Sequence, residues 1–211
     1  MKYGSMKQPR VRLVLYEENR VLDPEAKGEE YYFAWSFNGK AKGFETLPEA
    51  VVQAYEGMGT VWRNGHELLW ERWNRLTRTQ VENFEMPEPS ETTGDSLTQC
   101  LQLLLRQKQL YPDIQAYLDQ GMAAWEICGQ ELGESCCLLP GVSLRMALYY
   151  VNRQEPVMGI TDTGEAVLIV GYDAQNIIYC EAGQTTLKRA GMIDSTEMFE
   201  RAGNLFFTCL P

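Results

Sequence analysis

The chain reads as an α+β protein built from two units, and three features of its sequence predict this. An uninterrupted apolar run, Ala166 to Val170, is too short for a helix and rich in β-branched residues, so it reads as a strand buried on both faces. Gly171 to Gln175 turns it into a second strand, Asn176 to Cys180, which makes a hairpin at the centre of an antiparallel sheet. Upstream, from Ser96 onward, the apolar residues recur at helical spacing instead. Between these features and the N-terminal part, Glu82, Glu85, Glu88, Glu91 and Asp95 occur without Lys or Arg, and Pro87 and Pro89 block a helix. That stretch is expected to be a linker, with a boundary near residue 90 dividing a small α+β module (1–90) from a larger domain (91–211).

The N-terminal elements follow in order. Val11 to Tyr16 alternates apolar and polar residues and predicts a strand, and the aromatic run Tyr31 to Phe37 predicts another, closed by an Asn38-Gly39 hairpin turn. Thr46 to Glu49 has the pattern of a capping box and opens a helix with Ala50, Val51, Ala54 and Tyr55 on one face, ended by Gly57 and Gly59. Thr60 to Arg63 and Glu67 to Glu71 flank a second hairpin signal, Asn64-Gly65, giving a β-β-α-β-β module. His66 beside that turn reads as solvated. Arg72, Arg75 and Arg78 have the spacing of one solvated helical face.

In the larger unit, Ser96 to Gln99 is another capping-box pattern, starting a helix to about Lys108 with Leu97, Cys100, Leu101 and Leu104 on its inner stripe. A helix opened by Pro112 runs to about Asp119, and a third spans Met122 to Glu131 with Trp125 and Cys128 inside. Ser135 to Leu139 suggests an edge strand; Ser143 caps a helix aligning Leu144, Leu148 and Val151. Pro156 to Thr161 leads through the turn Asp162-Thr163-Gly164 into the central hairpin. Asp194-Ser195 caps a short helix, and Leu205 to Leu210 closes the chain as a strand.

Composition narrows function. The net charge of −10 and pI near 4.7 repel phosphate backbones and anionic membranes, which argues against nucleic acid as a partner and against direct membrane insertion. No apolar run approaches the ~20 residues of a membrane span, and no apolar signal core is present. The six cysteines lack a C-x-x-C pair and the chain has one histidine, so free, mostly buried thiols are expected, with no metal or other cofactor.

Gly164 to Asp173 reads Gly-Glu-Ala-Val-Leu-Ile-Val-Gly-Tyr-Asp, followed by Tyr-Cys-Glu-Ala-Gly at Tyr179 to Gly183, with Pro156-Val157 before the hairpin and Ser195 and Phe199 after it. On these residues the part from about 94 to 210 resembles papain-like cysteine peptidases. It is most similar to the branch that trims double-glycine leader peptides in bacteriocin exporters, where a Gly-His-Ala-Val-Leu-Val-Val-Gly-Tyr-like strand carries the catalytic histidine. The resemblance implies a papain-like fold, with helices packed on an antiparallel sheet. It puts the family's nucleophile on Cys100, its histidine on Glu165 and its orienting Asp or Asn at Glu181; the oxyanion-donating glutamine falls on Gly94. The N-terminal module, through Leu47 to Ala50 and Trp70 to Arg72, is similar to a segment of large Firmicutes surface proteins, which implies a place in a larger envelope-associated protein.

A glutamate in the histidine's place removes the chemistry. In this family the neighbouring imidazolium lowers the thiol pKa to ~3–4 and stands ready to protonate the leaving amine. A carboxylate raises the thiol pKa instead, and deprotonating a thiol of pKa ~8.5 with a glutamate of ~4.3 runs uphill by about 6 kcal/mol. A helix N-terminus recovers at most ~2 kcal/mol. The sequence therefore points to a catalytically silent domain that keeps its cleft for a peptide or protein partner, with Cys100 read as core filler or a residual thiol, and Glu165 as a solvated carboxylate or a cleft acid for a basic ligand. An active cysteine peptidase or transferase with another base, and a purely structural spacer, are the alternatives. Glu165→His is expected to lower the Cys100 pKa if the two face one another.

Overall fold

The computed structural model describes residues 16–17, 20–21, 32–36, 39, 41–64, 67–72, 78–88 and 95–210. Nearly all of the Val11 to Tyr16 strand, together with Asn38, Gly65, His66, Arg75 and Gly94, lies outside the described residues. The chain divides into two compact units between Asn74 and Arg75.

In the N-terminal unit, β1 (Tyr16–Glu17) and β2 (Arg20–Val21) form a separate two-stranded ladder. Four further strands, β3 (Tyr32–Trp35), β4 (Ala41–Phe44), β5 (Thr60–Arg63) and β6 (Glu67–Glu71), make an antiparallel sheet in the order β4-β3-β5-β6. Helix α1 (Leu47–Glu56) crosses between β4 and β5 and buries Leu47, Ala50, Val51 and Ala54. The order is again β-β-α-β-β, but with Ala41–Phe44 as the second strand, whereas the expectation counted Val11 to Tyr16 and Tyr31 to Phe37 as the first two. The capping box differs in detail, because the Thr46 hydroxyl donates to the Glu49 carboxylate at 2.8 Å and does not take up a backbone N–H. The three-arginine helical face is corrected: Arg72 lies past β6 with its guanidinium over the Tyr55 ring, and Arg78 begins a strand.

The C-terminal unit opens with that strand, β7 (Arg78–Gln80). Then come α2 (Ser96–Arg106), α3 (Ile114–Asp119), α4 (Ala124–Leu132), β8 (Cys136–Leu138), α5 (Leu144–Asn152), β9 (Val157–Ile160), β10 (Ala166–Asp173), β11 (Asn176–Glu181), β12 (Lys188–Gly191), α6 (Met192–Arg201) and β13 (Phe206–Cys209). One antiparallel sheet runs β12-β11-β10-β9-β13-β8, with β7 added to β10. Helix α2 packs against β10 and against α3 and α4, so it is buried on nearly every side. The expected stripe is thereby corrected: Leu103 and Leu105 are buried along with Cys100, Leu101 and Leu104, whereas Leu97 is only half-buried.

Two strands share one edge of β10. β9 pairs with Ala166 to Ile169 and β7 with Gly171 to Asp173. Between them Val170 is skipped in the ladder to β11, a β-bulge, and its carbonyl accepts from Val81 N–H at 2.7 Å. Glu82 N–H then donates to Gln154 Oε1, and Val81 and Pro87 are buried. The acidic stretch expected as a linker thus begins, directly after β7, packed on the larger unit, and the two compact units divide at residues 74 and 75.

The far end of α2 is pinned by a largely buried ion pair. Lys108 Nζ donates to Glu155 Oε1 at 2.6 Å and to the Leu210 carbonyl at 3.2 Å, which fastens the last strand. All six cysteines are free; five are buried and Cys136 is partly exposed.

At Gly171 an added Cβ would meet the Thr79 carbonyl oxygen at 2.8 Å, with Gln80 Cα and Cβ at 3.2 Å. Backbone cannot yield as a flexible side chain does, so Gly171→Ala is expected to cost about 1–3 kcal/mol in urea unfolding and to speed tryptic cleavage after Arg78 by loosening β7. Unchanged cleavage there would remove this strand-docking role from Gly171.

Candidate functional site

The site is built where the first turn of α2 meets the start of β10. Asp95, not Ser96, is the N-cap of α2: its Oδ1 accepts from Thr98 N–H at 2.8 Å and its Oδ2 from the Thr98 hydroxyl at 2.9 Å. Burial pushes the Asp95 carboxyl pKa up, but those hydrogen bonds outweigh it and hold the group below the ordinary aspartate value. Capping by Asp95 releases Ser96 for another partner. Ser96 Oγ accepts from Ala166 N–H at 2.9 Å, tying the helix start to the first residue of β10. One turn on, Gln99 Oε1 accepts from Gly183 N–H at 2.8 Å and holds the loop after β11.

These two hydrogen bonds fix the backbones on either side of Glu165 and Glu181. The Glu165 carbonyl accepts from Thr161 N–H at 2.8 Å and from Thr161 Oγ1 at 3.0 Å, closing the turn before β10. A concavity of about 380 Å³ opens at this corner, lined by Ser96, Thr161 to Thr163 and Glu165 at its polar edge. Ala166, Val167, Ile177, Tyr179, Ala190 and Met198 give it apolar walls, and Glu181 and Ala182 complete it.

The structure therefore brings Glu165 and Glu181 to one concavity, but not Cys100. The reason is the two-residue period of a strand. Val167 stands opposite Glu181 and Leu168 opposite Cys180, so Glu181 and Cys180 point to opposite faces of the sheet. Cys180 is the neighbour of Cys100, and both thiols are pushed up chiefly by burial, Cys180 to about 11. Cys100 is 1% exposed and lies beneath the sheet, among the side chains of α2. Cys100, expected at the nucleophile position, thus lies in the core and not at the concavity. The residue near the start of the inner helix that reaches the concavity is Ser96, which the capping-box pattern offers as the helix cap. The signal that could have found it was the Asp95-Ser96 pair: two capping residues in succession leave one free for another task.

The carboxylates differ in their partners. Glu181 is paired with Lys188, and that hydrogen bond raises the Lys188 pKa. Asp162 at the rim pairs with Arg201 Nε at 2.8 Å. Glu165 is exposed, and its carboxylate has no hydrogen-bond or ion partner among the described residues. Also among the described residues, no group of three or more His, Cys, Asp or Glu side chains is placed to hold a metal.

No protein-family profile matches this chain, and no curated protein matches it. A solved structure does. Across 64% of this chain and 98% of the other, it superposes with a TM-score of 0.50 and 12% identity on a Bacillus anthracis protein whose crystal structure is described as that of a C39-like peptidase. At that identity the likeness concerns the fold: this is an α+β protein with the papain-like fold of C39-type peptidases. No helix among the described residues is long and apolar enough to cross a membrane.

Two outcomes follow from the site. Asp95→Ala is expected to destabilise by about 1 kcal/mol at neutral pH. Because its folded-state pKa is depressed, the aspartate's contribution is present above the ordinary value of about 3.9 and lost as pH falls through the lower folded value. Urea curves of the two proteins should converge there. The second concerns a thiol placed at the concavity: in Ser96→Cys combined with Glu165→His it should ionise at least about one unit lower than in Ser96→Cys alone, read by iodoacetamide rates against pH. In the chain with Glu165→His as its single change, Cys100 should be unaffected.

Proposed function

We propose that the C-terminal unit is a papain-like domain that binds a peptide segment without cleaving it, within a larger envelope-associated bacterial protein. One observation carries this reading: the concavity that holds Glu165, the position on which the resemblance puts the family's histidine, is lined by Ser96, Glu165 and Glu181 and by no cysteine. A serine hydroxyl is a far weaker acid than a thiol, and Ser96 Oγ already accepts a hydrogen bond from Ala166 N–H. A carboxylate is a far weaker base than an imidazole and, as an anion, has no proton to give a leaving amine. What remains is a partly apolar recess of the size that accommodates one or two side chains of a ligand.

The burial of Cys100 weighs against an active cysteine peptidase built on that thiol, and the recess itself weighs against a plain spacer. The similarity of the N-terminal module to Firmicutes surface proteins supports the envelope setting, and the bacteriocin-peptidase resemblance supports a peptide as ligand.

An equimolar hexapeptide pool supplies the test. Titration into ¹⁵N-labelled protein is expected to shift the amides of Val167, Ile177 and Tyr179, while mass spectrometry of the same mixture shows every peptide intact. Cleavage that disappears in Ser96→Ala or Cys100→Ala, or an absence of shifts at the recess, would overturn the proposal.

A further inference from the structure

We infer that the recess selects a ligand carrying a primary ammonium or guanidinium group, held by Glu165; this rests on the binding reading above and names the chemistry that the site recognises. The charges around the recess single out one group. Asp162 is closed on Arg201 and Glu181 on Lys188, so each of those carboxylates already has its cation. Glu165 lines the same recess from the turn before β10, its backbone held by Thr161, with no cation supplied to its carboxylate by any described residue. An unpaired carboxylate in open water is ordinary. This one stands at the edge of a recess with apolar walls, where a ligand's arrival excludes water and strengthens a charge-assisted hydrogen bond.

Shape and charge then select together. Val167, Ile177 and Met198 offer apolar surface to a methylene chain, and the carboxylate waits at its polar edge, so a cation on an aliphatic stem satisfies both. A neutral apolar chain fills the walls and leaves Glu165 without a partner. An acidic chain meets like charge from Glu165. The recess volume of about 380 Å³ suits a side chain or a small amine.

Fluorescence anisotropy distinguishes this inference from the broader one. The probe is a fluorescein-labelled pentapeptide with lysine at its centre between leucines and alanines; its arginine, norleucine and glutamate analogues complete the series. The lysine or arginine peptide is expected to bind about ten-fold or more tightly than the norleucine peptide, as a lost charge-assisted hydrogen bond implies. In Glu165→Gln that preference should vanish while the norleucine peptide binds as before, with thermal unfolding confirming the fold. Equal affinity for lysine and norleucine peptides, or a preference that survives Glu165→Gln, would overturn the inference and leave peptide binding standing. Failure of all four peptides to bind would overturn both. Displacement of the lysine peptide by 1,5-diaminopentane at comparable concentration assigns the cation to a free amine, and displacement by peptides alone assigns it to a peptide side chain; either supports the inference.

Discussion

Two hydrogen bonds from one helical turn organise the functional end of this molecule. Ser96 Oγ takes the N–H of Ala166, and Gln99 Oε1 takes the N–H of Gly183. Each satisfies a backbone donor at an end of the central hairpin, where a buried unsatisfied group would cost about 1–3 kcal/mol. Together they decide which parts of β10 and β11 open to solvent and which are covered by α2. The Asp95 cap makes this possible by supplying the Thr98 N–H with its acceptor, which leaves Ser96 free to reach the strand. The recess and the burial of the thiols follow from where that helix start is held, and the two-residue period of β11 then puts Glu181 and Cys180 on opposite faces.

The same arrangement supports the proposal that this papain-like fold binds without cleaving. The core of the larger unit is continuous from α2 through β10 to α5 and β13, and nothing in that packing needs a reactive thiol. Cys100 serves there as a small apolar side chain, pushed well away from ionisation by burial and by the neighbouring Cys180 and Asp95. The recess is lined by a hydroxyl used as a hydrogen-bond acceptor, that of Ser96, and by the carboxylates of Glu165 and Glu181.

Much of the scaffold was legible because it rests on local rules. The β-branched run of β10, the Asn-Gly turn signal before β6 and the helical spacing from Ser96 onward each encode their element within a few residues. What escaped prediction depends on distant partners. β7 is three residues of Arg-Thr-Gln and β12 is Lys-Arg-Ala-Gly, neither with strand-like patterning; each is a strand because β10 or β11 offers it a backbone edge. The site was legible only in part. Motif spacing singles out Glu165 and Glu181, and both line the recess, whereas Cys100 is singled out by residue type where the deciding quantity is position along the helix. A four-residue shift moves a side chain about one turn, here from a recess edge into a sealed core.

The central claim is that the thiol of α2 belongs to the core and that the recess holds none. Mass-spectrometric mapping of iodoacetamide adducts on the folded protein at pH 8 tests it directly, with Cys136 as internal reference, since that residue is partly exposed and a hydrogen bond from Cys128 lowers its pKa. The account predicts that Cys136 is modified while Cys100 stays unmodified until the protein is unfolded with denaturant. Modification of Cys100 in the folded chain as fast as that of Cys136 would contradict it, and would return the nucleophile position to that cysteine.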